Sequence, residues 1–143
     1  NFALGHIYVA EKKRYVGADS FPEFNYAIWL GNRKGPGRIS STTLDLLKWD
    51  RSLYTEKLVK LTTLQKAFTP MKLSTDSLSN YGFGWMLGTD PKFGKTVFHT
   101  GDNPGYKTEI IRYIDIDKTI IFLNNNAHER KAEIISSIKS IVL

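Results

Sequence analysis

The residues in this sequence most able to do chemistry stand together at His99-Thr100-Gly101, followed by Asp102-Asn103-Pro104-Gly105. An imidazole titrates near neutral pH, and a hydroxyl both donates and accepts hydrogen bonds. A glycine beside them lets an extended ligand lie flat against a strand edge and pair with its backbone. An isolated His-Thr-Gly is more often an ordinary strand histidine before a turn glycine, so the flanking pattern has to decide. The other candidates are weaker. Ser136-Ser137-Ile138-Lys139 is the one literal Ser-x-x-Lys match, but it falls on a predicted helix, where hydroxyl and lysine at i, i+3 coincide easily. His6 and His128 have no Asp, Glu or His at metal-ligand spacing, so no metal and no cofactor is expected. Trp29, Trp49 and Trp85 could suggest a carbohydrate-binding face, but Trp49 and Trp85 fall on periodic positions that packing explains more simply. With no cysteine, disulfides and thiolate chemistry are excluded.

The elements that must hold the candidate stretch follow from periodicity. Residues 4–9 and 14–17 flank the polar Glu11-Lys12-Lys13 and predict a small hairpin. Pro22, Gly31, Gly35, Pro36 and Gly37 make 18–38 a loop, with a short extended piece at Tyr26–Leu30. Ser41 or Thr42 supplies a helix cap, with Asp45 in the first turn and Leu46, Trp49 and Leu53 as the inward stripe. A second helix is predicted from Thr62 to near Pro70. The period then changes to two. Tyr81–Leu87, Lys95–Thr100, Tyr106–Ile114 and Thr119–Asn124 are predicted strands, joined by turns at 89–94, 101–105 and 115–118. Short connections imply an antiparallel meander. A closing helix from about His128 to Ile141 is expected to cover one face of it with Ile134, Ile138 and Ile141 on one stripe and Ile135 and Val142 beside it. The fold class is α+β: an antiparallel sheet with a C-terminal helix packed on one face.

Four groups of residues, in order and in register, make a more specific pattern: Gly-x-Gly then Ser41-Thr42-x-x-Asp45-Leu46-x-x-Trp49, Tyr81-Gly82-Phe83-Gly84-Trp85, His99-Thr100-Gly101, and Leu123-Asn124-Asn125. Together they resemble the second half of class C β-lactamases, penicillin-binding proteins, serine D-peptidases and related esterases over nearly the whole chain. The resemblance implies a partial β-lactamase/transpeptidase-like fold, with residues 1–143 as the C-terminal part of the domain. His99-Thr100-Gly101 would be the family's third motif, in which histidine replaces lysine in many class C-like members. His99 would then sit where the family's cation sits, and Thr100 would offer its hydroxyl to a substrate carboxylate or to the site network. The backbone N–H of Asp102 would be one oxyanion donor, with Asn103 beside it in substrate binding. The family's Ser-x-x-Lys and Tyr-x-Asn motifs precede the third motif. Neither occurs here in that place, so the chain is expected to begin after both and to be inactive alone. Two departures stand out. Gly35-Pro36-Gly37-Arg38 replaces the adjacent glycines of relatives. Asp102 adds a negative charge that disfavours β-lactam or D-Ala-D-Ala recognition and leaves esterase or amidase activity open.

Composition narrows the partners. Twenty basic residues against fourteen acidic give +6, but they are scattered without a block of like charges, so nucleic acid is not an expected partner. No run of about 18 apolar residues is present, so no membrane span is expected, and no signal peptide is visible. Family resemblance points to a periplasmic or extracellular location. Thr119-Ile120-Ile121-Phe122-Leu123 combines high β-propensity with no charge and no proline, and predicts a sheet edge that something must cover. The expected partner there is the N-terminal part of the same protein or a second copy through 119–123, unless Leu4–Val9 folds back over it. The favoured function is a serine hydrolase acting on an amide, ester or β-lactam in a small molecule or peptide, through an acyl-enzyme. The alternatives are a non-catalytic penicillin-binding-like module holding peptide or cell-wall material, and an independent α+β interaction domain.

Overall fold

The computed structural model describes residues 2–24, 37, 39–127 and 129–143. The extended piece at 26–30, Trp29, His128 and all of the glycine turn except Gly37 lie outside the described residues. Among the described residues the chain forms two antiparallel sheets and three α-helices, one of them C-terminal, so it is α+β. Strands β1 (His6–Val9) and β2 (Arg14–Gly17) pair as a hairpin. Strands β3 (Met86–Asp90), β4 (Gly94–Asn103), β5 (Tyr106–Tyr113) and β6 (Lys118–Asn124) follow one another across the second sheet. The helices are α1 (Thr43–Ser52), α2 (Leu61–Ala67) and α3 (Lys131–Val142). Two compact units divide the chain within β4, β5 and β6: one holds the described residues of 1–41 with Thr100–Thr108 and Phe122–Leu143, the other Thr42–His99 and Glu109–Ile121.

In the first unit, Lys13 adopts the left-handed conformation (φ 49°) after a 3-10 turn at Ala10–Lys12, which closes the β1–β2 hairpin, and Tyr8 meets Tyr15 edge-on across it. The N–H of His6 donates to the Asn125 carbonyl and the N–H of Ala127 to the His6 carbonyl, both at 2.9 Å, in a parallel bridge with Asn126. The N-terminal strand therefore binds the chain just past the last residue of β6, so the anticipated return of Leu4–Val9 occurs but joins 125–127. In α3 the sheltered positions are Lys131, Ile135, Ile138 and Lys139, at i, i+4, i+7 and i+8. Of the residues expected on that face, Ile135 and Ile138 are sheltered, while Ile134, Ile141 and Val142 are exposed.

The second unit is built around Trp85. Leu53, Ala67, Phe68, Trp85 and Val97 form its buried cluster, with Leu64, Leu87, Ile110 and Ile114 packed against it. Trp85 stacks on Trp49 at 5.9 Å between ring centroids and meets the edge of Phe68 at 5.8 Å. Thr42 caps α1 as expected: its hydroxyl oxygen accepts from the Asp45 N–H at 3.1 Å. Helix α2 starts one residue before Thr62, and its first N–H, on Leu61, donates to the Glu56 carboxylate at 3.2 Å instead of to a local cap.

Three sequence expectations fail here for identifiable reasons. Tyr81–Trp85 is a reversal and not the start of a strand: the Gly82 N–H donates to the Trp85 carbonyl, Tyr81 bridges Met86, and Gly84 has φ +75°. Alternating glycines imitate the period of a strand while permitting the chain to turn. The turn predicted at 89–94 is shorter, because β3 runs on to Asp90, whose carboxylate accepts from the N–H groups of Lys92 and Phe93. In α1 the middle of the inward stripe is Asp50 and not Trp49, which keeps 40% of its surface exposed.

Asp50 is fully buried because β5 places Arg112 against it, itself 1% exposed. One carboxylate oxygen accepts from Arg112 Nε (2.5 Å) and the Thr119 hydroxyl (3.1 Å). The other accepts from Arg51 Nε (2.9 Å) and Nη2 (2.6 Å). The Arg112 guanidinium also lies over the rings of Tyr54, Phe68 and Trp85 at 4.9–5.8 Å. Arg51 reaches on to Asp117 at 2.6 Å, and that hydrogen bond holds the Asp117 carboxyl below its ordinary range.

Candidate functional site

All five candidate residues, His99 to Asn103, lie on β4. The segment 101–105 is therefore corrected from a five-residue connection to strand followed by the pair Pro104-Gly105. The antiparallel register of β3 on β4 runs from Asp90↔Gly94 to Met86↔Phe98, so His99 is the first residue beyond it.

Within the second unit, His99 is exposed, and its Nε2 shares a hydrogen bond with the Tyr81 hydroxyl at 2.9 Å. The two rings meet edge to face at 6.0 Å and 73°. Tyr81 is a site residue that sequence reasoning did not single out beyond its place in the Tyr-Gly-Phe-Gly-Trp pattern. No local signal could have paired it with His99, since 18 residues separate them.

Within the first unit, the remaining candidates are held by β5 and by Gly37. A Cβ built on Gly101 would stand 2.2 Å from the Thr108 Oγ1. The absence of a side chain at 101 is thus required by the cross-strand threonine, before any ligand is considered. Gly101→Ala should destabilise the protein by about 1–3 kcal/mol, the range for overpacking, and Thr108→Ala in the same molecule should recover most of the loss. Urea denaturation of the four members of this cycle measures it; additive losses would show that the two positions do not couple. Asp102 forms an ion pair with Lys107 at 2.5 Å, so its negative charge is balanced within the same unit. Asn103 Nδ2 donates to the Gly37 carbonyl at 3.1 Å, which ties Gly37 to the end of β4.

The other sequence candidates have structural placements. Ser137, on α3, donates to the Glu133 carbonyl one turn back at 3.0 Å, and Ser136 faces solvent. His6 Nδ1 donates to the Leu4 carbonyl at 2.9 Å. Among the described residues no three His, Cys, Asp or Glu side chains gather as a metal site, and no helix is long and apolar enough to cross a membrane.

The protein-family model described as Beta-lactamase matches residues 6–140. The chain belongs to the beta-lactamase family. It is 37% identical over 133 residues to "Penicillin-binding protein 4*" of Bacillus subtilis (strain 168), an alignment that takes in 93% of this chain and 30% of that protein. The chain thus spans under a third of the length of the curated relative it matches. No solved structure was found to match it. The region matched to the beta-lactamase family takes in the His99–Asn103 stretch, Tyr81 and the Asp50–Arg112 pair.

Proposed function

We propose that the full-length protein is a serine hydrolase that opens an amide, ester or β-lactam through an acyl-enzyme, and that residues 1–143 are the C-terminal part of its catalytic domain. In this reading His99, Thr100 and Gly101 are the third motif, and the N–H of Asp102 is one donor to the oxyanion. Thr100 and Asn103 contact the substrate's polar groups. The nucleophilic serine and its lysine are assigned to the portion of the protein outside this sequence. The same portion is assigned to the edge of β6 at 119–123, which has a strand partner only in β5 among the described residues.

The observation that carries the reading is the position of His99-Thr100-Gly101 within the family match, on a strand that continues beyond the register of its neighbour β3. Such a strand edge is the geometry that an extended substrate needs for backbone pairing. The Asp102–Lys107 ion pair removes the electrostatic objection to anionic substrates, so β-lactams and D-peptides stand beside esters as substrates.

The test is acylation of the full-length protein by a fluorescent penicillin and by a nitrophenyl ester, with the adduct mapped by mass spectrometry. A covalent adduct on a serine outside residues 1–143 is the expected result, with no turnover by this chain alone. An adduct on Ser136 or Ser137 would overturn the division of labour. No adduct, with the penicillin still bound, would favour a non-catalytic binding module.

A further inference from the structure

The geometry points to Tyr81 as a positioning residue that fixes the orientation and tautomer of His99 by donating its phenolic O–H to Nε2. This rests on the hydrolase reading above and adds to it a residue outside the third motif. The two side chains are 2.9 Å apart at their polar atoms, and the tyrosine ring meets the imidazole edge to face. A phenol is a better donor than a neutral imidazole N–H, and an unprotonated imidazole nitrogen is a better acceptor than a phenol oxygen. The favoured arrangement is therefore O–H to Nε2, which places the proton of the neutral ring on Nδ1.

Tyr81 can do this because its backbone is anchored on several sides. Its N–H donates to Ser79 Oγ at 3.0 Å, and it bridges Met86, the residue opposite Phe98 in the β3–β4 register. The tyrosine and the residue next to His99 are thus both tied to Met86. The following N–H groups secure the reversal: Gly82 donates to the Trp85 carbonyl at 2.8 Å, and Phe83 to the Ala67 carbonyl at 3.1 Å, at the end of α2. A Cβ on Gly82 would fall on the Ala67 carbonyl oxygen, so the reversal sits directly on that helix end. Trp85 itself is buried in the cluster. The anchored backbone thus presents the tyrosine ring to His99, and the hydrogen bond to Nε2 holds the imidazole in one orientation.

The experiment is Tyr81→Phe in the full-length protein, which keeps the edge-to-face ring contact and removes only the hydroxyl. Nitrogen-15 shifts of the His99 ring, assigned by their loss in His99→Ala, should show Nε2 unprotonated in the parent. In Tyr81→Phe they should move toward the Nε2–H form. With a nitrophenyl ester, kcat should fall about tenfold with KM changed less than about twofold. The melting temperature should stay within about 3 °C, since an exposed hydroxyl is removed. An unchanged tautomer would overturn the proposal, and so would a changed tautomer with unaltered kcat. If the parent enzyme turns over no substrate, the hydrolase reading fails, and the ring shifts still decide whether Tyr81 holds His99.

Discussion

Asp50→Ala is expected to destabilise the protein by about 3–5 kcal/mol, the range for removing one partner of a buried ion pair. Asp50 has no exposed surface and Arg112 only 1%, so the substitution leaves a guanidinium in the core without its carboxylate. The cation cannot escape by losing its proton, because arginine stays charged in proteins. The rings of Tyr54, Phe68 and Trp85 offer it some attraction, but they accept no strong hydrogen bond. Among the described residues Arg112 Nη1 has no hydrogen-bond partner, so none of them offers a spare acceptor to take over. The Thr119 hydroxyl loses its acceptor in the same step. Removing both charges is a different matter. Asp50→Leu with Arg112→Met should cost far less than Asp50→Ala, because the desolvation penalties disappear together. Urea denaturation of the full-length protein, followed by circular dichroism, distinguishes these outcomes. A loss under about 1 kcal/mol in Asp50→Ala would mean that the pair is not the electrostatic centre of this unit.

On the hydrolase reading proposed above, His99→Ala in the full-length protein is expected to lower kcat/KM by about 100-fold or more, the usual range for a positioned acid, base or charge-stabilising group. Stability should barely change, because an exposed strand side chain is removed and surface substitutions usually stay within about 0.5 kcal/mol. This separation of activity from stability is the signature of a residue in the site. His99→Lys should recover little of the rate, because an ammonium cannot accept the Tyr81 O–H as an unprotonated Nε2 does. Steady-state kinetics with a nitrophenyl ester, beside thermal melts of the same preparations, check both variants. Kinetic constants within a few-fold of the parent in His99→Ala would mark His99 as structural and remove it from the mechanism.

Both effects depend on contacts that differ in how far they could be read from the chain. The β1–β2 hairpin, the Thr42 cap, the four-strand order and the closing helix were legible because each follows from neighbours a few residues apart: alternation, a hydroxyl before a helix, a turn too short for a crossover. His99-Thr100-Gly101 stands out in the sequence because its context resembles a family pattern in register. The reversal at 81–85 was misread because glycines at every second position satisfy the strand template and the turn equally well. The strand end at Asn103 was misread because glycine and asparagine are turn residues by propensity, while pairing across the sheet held them extended.

The sequence by itself determined the class of fold, the family and the stretch that carries the candidate chemistry, since all three reside in local periodicity and in one ordered set of motifs. Only the tertiary structure decided which side of α1 turns inward, what neutralises Asp102 and what holds His99. Leu46-Trp49-Leu53 and Leu46-Asp50-Leu53 are both good helical stripes, and the choice between them went to the carboxylate because Arg112, 62 residues away, had to be paired in the core. Tyr81 reaches His99 across 18 residues for a similar reason: a reversal seated on the end of α2 brings them together, and no spacing rule along the chain encodes that meeting.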